Sequence, residues 1–296
     1  MKPYGWLLIL MSISFIAVPR AVEAKEVYIF SAPPRESYED GMKQYGAIAD
    51  YLSKVTGKKI QYVHQTNWLS YMKDMAEGRF DIAFDGPHFN VWRNRYLGHD
   101  PVVRIDNLKG GTFKPKWLLV YRKGTWGGDM STLPGKTFCL HAPPNFGTMS
   151  VFHLLFPNPA RQPYIKEMKG WKKMVNAVRD NKNGCEFTVS RGKHVKGADP
   201  DGKKLGRTAI AAYPHQGFTI SSAMPEATKE AIKAALVSDE FRIAARAFFK
   251  RFVGREDRGL VVYKDSPKYD EPFDILAQQY LIPWSLHSSV RVAATP

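Results

Sequence analysis

Gly78-Arg79-Phe80-Asp81-Ile82-Ala83-Phe84-Asp85-Gly86-Pro87-His88-Phe89 brings three kinds of local structure together in one short run. Gly78 is placed to end a helix in the left-handed conformation, and residues 79–84 read as a strand. Asp85-Gly86-Pro87 then opens the next helix, with a capping residue followed by proline at the first helical position. A helix, a strand and a helix in such close succession is the α/β pattern, in which helices cover a largely parallel sheet.

The residues upstream repeat the pattern. Residues 26–31 read as a strand, and Ser37, with Asp40 three residues on, opens a helix whose Met42, Tyr45, Ile48, Ala49, Leu52 and Val55 share one face until Gly57. Residues 59–64 read as the second strand. Asn67 then caps a helix that turns Trp68, Leu69, Met72, Met75 and Ala76 inward and closes at Gly78.

Downstream, residues 116–122 form a long strand that runs into a turn-rich stretch with Gly124, Gly127 and Gly128, which marks a crossing between two lobes. The expected division is a first lobe over 25–121, a second over 122–212, and a return to the first over 213–296 that includes a C-terminal tail. The second lobe holds strands at 136–141 and 185–190 and helices at 147–156 and 171–179. The polar stretch 192–206 reads as a surface loop or extended hairpin, and 208–213 as the strand that leads back. Helices after Met224-Pro225 and from Ser238 complete the chain, the latter with Phe241, Ala245, Phe248, Phe249 and Phe252 inward and Gly254 closing it.

The chain has 296 residues, 44% hydrophobic and 24% charged, a globular composition that excludes disordered or low-complexity scaffolding. Lys2 precedes an uncharged apolar run over 6–18, and Val22-Glu23-Ala24 follows in a small-x-small pattern. Residues 1–24 therefore read as a cleaved signal peptide, too short to span a bilayer, and place the protein in the periplasm. Export makes nucleic acid a poor partner and favours pairing the two cysteines, Cys139 and Cys185. The net charge of +15 is uneven, because residues 122–212 carry 16 Lys+Arg against 6 Asp+Glu. A basic second lobe is suited to drawing an anion toward a cleft.

No nucleophile elbow, HExxH motif, phosphate loop or paired-cysteine zinc spacing is present, so the sequence gives an enzyme reading no support and calls for no cofactor. Binding is better supported. Four stretches lie where strand ends feed helix N-termini, whose free N–H groups favour anions: 32–37, Asn67-Trp68, 85–89 and 145–150. Arg35, Tyr38, Trp68, Asp85, His88 and Phe89 are the candidate ligand contacts on the first lobe. Asn145, Thr148, Ser150 and Trp171 are those on the second, with Tyr213 and His215 at the return crossing.

Arg35 through Tyr45, Ala49-Asp50-Tyr51-Leu52-Ser53-Lys54-Val55-Thr56-Gly57-Lys58 and residues 78–87 resemble the periplasmic phosphate, phosphite and phosphonate-binding proteins of ABC transporters. Leu133-Pro134-Gly135-Lys136-Thr137, the 145–150 loop and Met224-Pro225-Glu226 fit the same plan. The resemblance implies a type II periplasmic binding fold: two α/β lobes, each a mixed sheet flanked by helices, closing on a small oxyanion between them. It also implies delivery to a permease in the inner membrane by a monomeric carrier. The family's hydroxyl-rich anion loop corresponds here to Phe146-Gly147-Thr148-Met149-Ser150, with fewer hydroxyls. Trp68 stands where the family has a tyrosine, and Gly170-Trp171-Lys172 where it has a Gly-Ser-His loop. Both tryptophans make the expected wall more apolar, which suits an organic substituent. Two alternatives share the architecture: a binding protein read by a membrane sensor, and a binder of a metal or metal chelate using His64, His88, His141 and His215.

Overall fold

The computed structural model describes residues 25–106, 108–109, 112–113, 117–141, 145, 148, 155–156, 161–211, 215–254 and 259–263. The expected signal peptide, Ser150, Tyr213, most of the 147–156 helix and most of the tail lie outside the described residues.

Strand β1 (Val27–Ser31) is buried at its centre and continues through a loop to α1 (Tyr38–Gly41), where the Ser37 side chain accepts the Asp40 N–H. The helix runs on through a π-helical turn, Met42–Gly46, into α2 (Ala47–Thr56). The wider turn rotates the apolar stripe. Tyr45, Ile48, Ala49 and Leu52 are buried as expected, but Met42 and Val55, expected on the same face, are exposed. Next come β2 (Lys59–Tyr62), α3 (Trp68–Ala76), β3 (Ile82–Asp85), α4 (Pro87–Leu97), β4 (His99–Ile105) and the short ribbon β5 (Leu108–Lys109) with β6 (Thr112–Phe113). A capping box between Asn67 and Ser70 starts α3. Its inward face carries Tyr71 and Met75, whereas Leu69, expected inside, is 79% exposed.

Then follow β7 (Trp117–Arg122), β8 (Thr137–Leu140), β9 (Tyr164–Glu167), α5 (Trp171–Arg179), β10 (Phe187–Ser190), α6 (Gly192–Ala198) and β11 (Leu205–Ala211). The last group is β12 (Gly217–Ser221), α7 (Glu226–Leu236), α8 (Asp239–Ala244), α9 (Arg246–Phe248), a π-helical turn Phe249–Val253 and β13 (Leu260–Val262). These strands form two mixed sheets, one of six strands in the order β13-β4-β12-β3-β1-β2 and one of five in the order β11-β7-β10-β8-β9. In the first, β1 runs parallel to β2 and β3 while β12 returns antiparallel between β3 and β4. The two sheets with flanking helices are the two-lobed α/β architecture expected from sequence.

Three expectations are corrected. The strand Trp117–Arg122 pairs with β10 and β11 in the five-stranded sheet, so the chain changes sheets before Trp117 and not after Tyr121. Residues 208–211 of the stretch expected to lead back lie in β11 of that same sheet, with 212 and 213 outside the described residues, and β12 is the strand that rejoins the first. The stretch 192–206 contains α6 and the start of β11 where a loop was expected. The two glycines within α6, Gly192 and Gly197, mask the helix, because glycine has low helix propensity.

The larger sheet packs its helices over an aromatic core in which Phe84 lies 4.7 Å from Phe248 and 4.9 Å from Phe218, ring centre to ring centre. Cys139 on β8 and Cys185 before β10 are joined in a disulfide with their Cα atoms 5.5 Å apart, as export favours. The bridge lies inside a second apolar cluster with Val120, Val175 and Val178. Among the described residues no helix is long and apolar enough to cross a membrane.

Candidate functional site

The helix start read from Asp85-Gly86-Pro87 forms as expected, with Gly86 at the cap, Pro87 first in α4 and Asp85 ending β3. Asn90, one turn into α4, donates to the carbonyls of Asp85 and Gly217 at 3.3 Å each and ties the helix to β3 and β12. Gly217 allows the strands to meet there, since a Cβ at that position would come within 2.6 Å of the Val103 carbonyl oxygen.

Asp85 is fully buried and all its acceptor positions are engaged. Oδ1 accepts from the Gly86 N–H at 2.9 Å and Arg35 Nη2 at 3.3 Å; Oδ2 accepts from Arg93 Nη2 at 2.5 Å and from the Tyr71 hydroxyl. Burial raises the Asp85 pKa, and the charges of Arg93 and Arg35, the Tyr71 hydrogen bond and the Gly86 N–H oppose that rise. Tyr71 is pushed well above its ordinary value, first by burial, and stays a neutral donor. The Arg93 pKa is raised by Tyr71 and Asp85 against the opposing effect of burial. Arg35 is thereby held from below, and its Nη1 is buried with no hydrogen-bond partner among the described residues.

Facing Arg35 is Arg191, from the other sheet. It follows β10 and stands at the N-cap position of α6, and its guanidinium lies 5.3 Å from the centre of the Trp117 ring. Burial lowers its pKa, and the charge of Arg35 lowers it further. Arg191 Nε and the neighbouring Ser190 Oγ are likewise buried without a partner among the described residues. Donors left unpaired inside a protein cost free energy, and two like charges brought together add to it. Around Arg191 stands an aromatic wall. Trp171 is 4.9 Å from Trp117, 4.4 Å from His141 and stacked at 6.4 Å on His194.

Of the residues proposed from sequence, Arg35, Asp85 and His88 converge here. Trp68 and Phe89 instead stack on each other at 6.1 Å in a small apolar cluster with Tyr71 and Trp92. Tyr38 is 62% exposed, edge-on to His64. Thr148 is buried, and its hydroxyl donates to the His141 carbonyl; Asn145 is half-buried. Trp171 is in the wall, and His215 accepts from the Gln216 N–H at 2.8 Å. Arg191, Tyr71 and Arg93 were missed. Arg191 follows the same strand-to-helix rule used elsewhere, but low helix propensity after it hid the signal.

Among the described residues no group of three or more His, Cys, Asp or Glu is arranged to hold a metal ion, so the histidine reading has no donor set there. A cavity of about 1290 Å³ lined by Lys43, Arg246 and Lys250 lies against the outer helices of the first lobe and includes none of the converging residues.

His88 and His99 are pushed down to about 3, mainly by burial, with the charge of Arg93 contributing to both and that of Arg35 to His88. Both are neutral when folded, and the unfolded chain takes up their protons first as pH falls below about 6.5. Unfolding free energy should therefore drop on acidification by roughly 1.4 kcal/mol per pH unit for each histidine between about pH 6 and 4. Urea unfolding across that range should show the loss, and His99→Asn should reduce its slope; an unchanged slope would place a charged His99 in the folded state.

Residues 30–162 match the model of the family described as "ABC transporter, phosphonate, periplasmic substrate-binding protein". The fold is similar to that of a Xanthomonas citri protein solved bound to ATP, at 12% identity over 86% of this chain and 97% of that one, with a TM-score of 0.62. It is also similar to PhnD1 from Prochlorococcus marinus in complex with methylphosphonate, at 11% identity over 86% and 96% of the chains and a TM-score of 0.56. A third likeness is to a binding protein component of an ABC phosphonate transporter from Pseudomonas aeruginosa, at 12% identity over 86% and 87% and a TM-score of 0.51. No curated protein matches the chain.

Proposed function

We propose, on the premise that the chain belongs through residues 30–162 to the phosphonate-binding family of periplasmic ABC-transporter substrate-binding proteins, that it captures a small phosphorus oxyanion between Arg35 and Arg191. The observation that carries this reading is the pair of arginines from opposite sheets, each with a buried nitrogen that nothing in the described protein satisfies. An oxyanion between them would accept both, add Ser190 as a third donor, and turn a repulsion into a bridge that favours closure of the lobes. The trigonal face of a phosphonate suits two guanidiniums, because each can present paired N–H groups.

The lobes are residues 25–106 with 217–263, and 117–211, and the hinge is the pair of crossings between them. The basic second lobe steers the anion in, and the Trp117–Trp171–His141 wall lies against its organic substituent. The chain works as a monomer that binds without turnover and delivers its ligand to an inner-membrane permease, after export directed by residues 1–24.

Thermal unfolding of the dialysed mature protein with methylphosphonate, phosphate, phosphite and sulfate tests the reading. A ligand at about 100 times its Kd adds about 2.7 kcal/mol and raises the midpoint by several degrees. One phosphorus oxyanion should do so, and a midpoint indifferent to all of them would remove the proposal.

A further inference from the structure

We infer that the first lobe carries a docking groove for an acidic polypeptide segment of its membrane partner; the chemistry of the groove stands by itself, and the identity of the partner rests on the delivery role proposed above. The groove is the cavity of about 1290 Å³ between the start of the first helical stretch, near Asp40 and Lys43, and the stretch from α8 to Gly254. Five cations line it, Lys43, Arg242, Arg246, Lys250 and Arg251, against one acid, Asp40. Over residues 242–251 the chain holds four cations and no acidic residue, and Arg242, Arg246 and Lys250 recur every four residues along the groove. Like charges at that spacing repel, a cost that an acidic partner turns into attraction. Lys43, Arg246 and Lys250 are exposed and form no ion pair among the described residues.

Charge is not the only feature to be matched. Ile243, in the same lining, is 78% exposed, an apolar side chain set among cations. Gln44, also in the lining, is buried, and its Oε1 has no hydrogen-bond partner among the described residues. A polypeptide segment supplies all three complements: carboxylates for the cations, an apolar side chain for Ile243 and a backbone N–H for the Gln44 carbonyl. A bilayer surface is flat where this one is concave. The groove also adjoins the ligand site, since Arg251 donates from Nε to Glu36 at 3.4 Å and Glu36 is next in sequence to Arg35. A partner seated there stands one ion pair away from the residue beside the first-lobe arginine.

Fluorescence anisotropy of the mature protein with a labelled peptide of repeated Glu-Glu-Leu tests the chemistry. Binding should weaken about tenfold or more between about 0.05 and 0.5 M salt, as screening predicts. Lys43→Glu, Arg246→Glu and Lys250→Glu together should weaken it by at least about tenfold, with the unfolding midpoint and the affinity for methylphosphonate unchanged. A second triple variant, Lys172→Glu, Lys173→Glu and Lys203→Glu, changes the net charge equally from exposed positions of the other lobe and should leave peptide binding within about twofold. Equal losses from the two variants, or no loss from the first, overturn the inference. So does a first variant that loses binding to vesicles of phosphatidylglycerol in phosphatidylcholine and keeps the peptide. In cells that carry the first variant in place of the native chain, methylphosphonate uptake should fall by at least about tenfold; normal uptake with peptide binding lost would overturn the assignment of the partner. If the unaltered protein binds no methylphosphonate, the delivery role falls and the partner with it, while the peptide titration still decides the groove.

Discussion

Arg191→Gln is expected to weaken methylphosphonate binding by about 100-fold while leaving the folded protein no less stable. Removing one partner of a desolvated, hydrogen-bonded charge pair costs roughly 2–5 kcal/mol, and 100-fold corresponds to about 2.7 kcal/mol. The stability half of the expectation runs against the usual result for a buried side chain. Arg191 faces Arg35, no carboxylate among the described residues pairs with it, and its pKa is depressed by burial and by that neighbour. Glutamine removes the repulsion and the several kcal/mol cost of burying a charge, keeps a donor, and forfeits the contact with the buried Trp117 ring, worth about 2 kcal/mol when desolvated. Titration calorimetry and urea unfolding of the same preparation check both halves. An affinity unchanged by the substitution would take Arg191 out of the site, and a large loss of stability would make it a structural arginine.

Asp85→Asn should destabilise the protein by about 3–5 kcal/mol, the cost of leaving a buried charge without its partner. Arg93 is fully buried, and Asp85 is the acid it pairs with, at 2.5 Å. Asparagine also presents an amide donor to a ring of donors, so at least one of Arg93, Tyr71, Arg35 and the Gly86 N–H must lose its acceptor. For a chain of this size the unfolding midpoint should fall by about 10 °C, and calorimetry measures it directly. Adding Arg93→Met should recover part of the loss, since an apolar side chain no longer needs the carboxylate. A midpoint within about 2 °C of the unaltered protein would show that Arg93 finds its counter-charge elsewhere. Binding should weaken as well, because Arg35 is held through Asp85.

The two substitutions act on opposite ends of one arrangement. Asp85 anchors the first-lobe arginine from inside the protein, while Arg191 comes from the second lobe with its guanidinium over the Trp117 ring. Asp85 is expected to be needed for the fold and Arg191 for the ligand, and the contrast between the stability effects of the two substitutions tests the site more sharply than either loss of binding alone.

Much of this was legible along the chain. Caps such as Ser37 and Asn67, the turn at Asp85-Gly86-Pro87 and the buried positions Ile48, Ala49 and Leu52 of α2 are set by hydrogen bonds and periodicity within a few residues, and the structure has them where the sequence puts them, whereas Met42 and Val55 fall off that face. The disulfide followed from two cysteines in an exported chain. Sheet membership was less accessible. Trp117–Arg122 reads as a strand in any sheet, and only its pairing with β10 and β11 assigns it to the second. The aromatic candidates divided in the same way: Trp68 and Phe89 found each other in an apolar cluster, while Trp171 came to stand beside Trp117 and His141.

By itself, the sequence determined the α/β alternation, the helix starts and the strand-end loops, because these depend on neighbours close along the chain. Among the 43 lysines and arginines the sequence singled out Arg35, and only the tertiary structure set Arg191 opposite it. A solvated arginine and a desolvated one have the same local sequence signature. What separates Arg35 and Arg191 from the rest is that two sheets bring them together half-buried, each with one guanidinium nitrogen shut off from water, where an unmatched positive charge is costly and an anion lowers that cost.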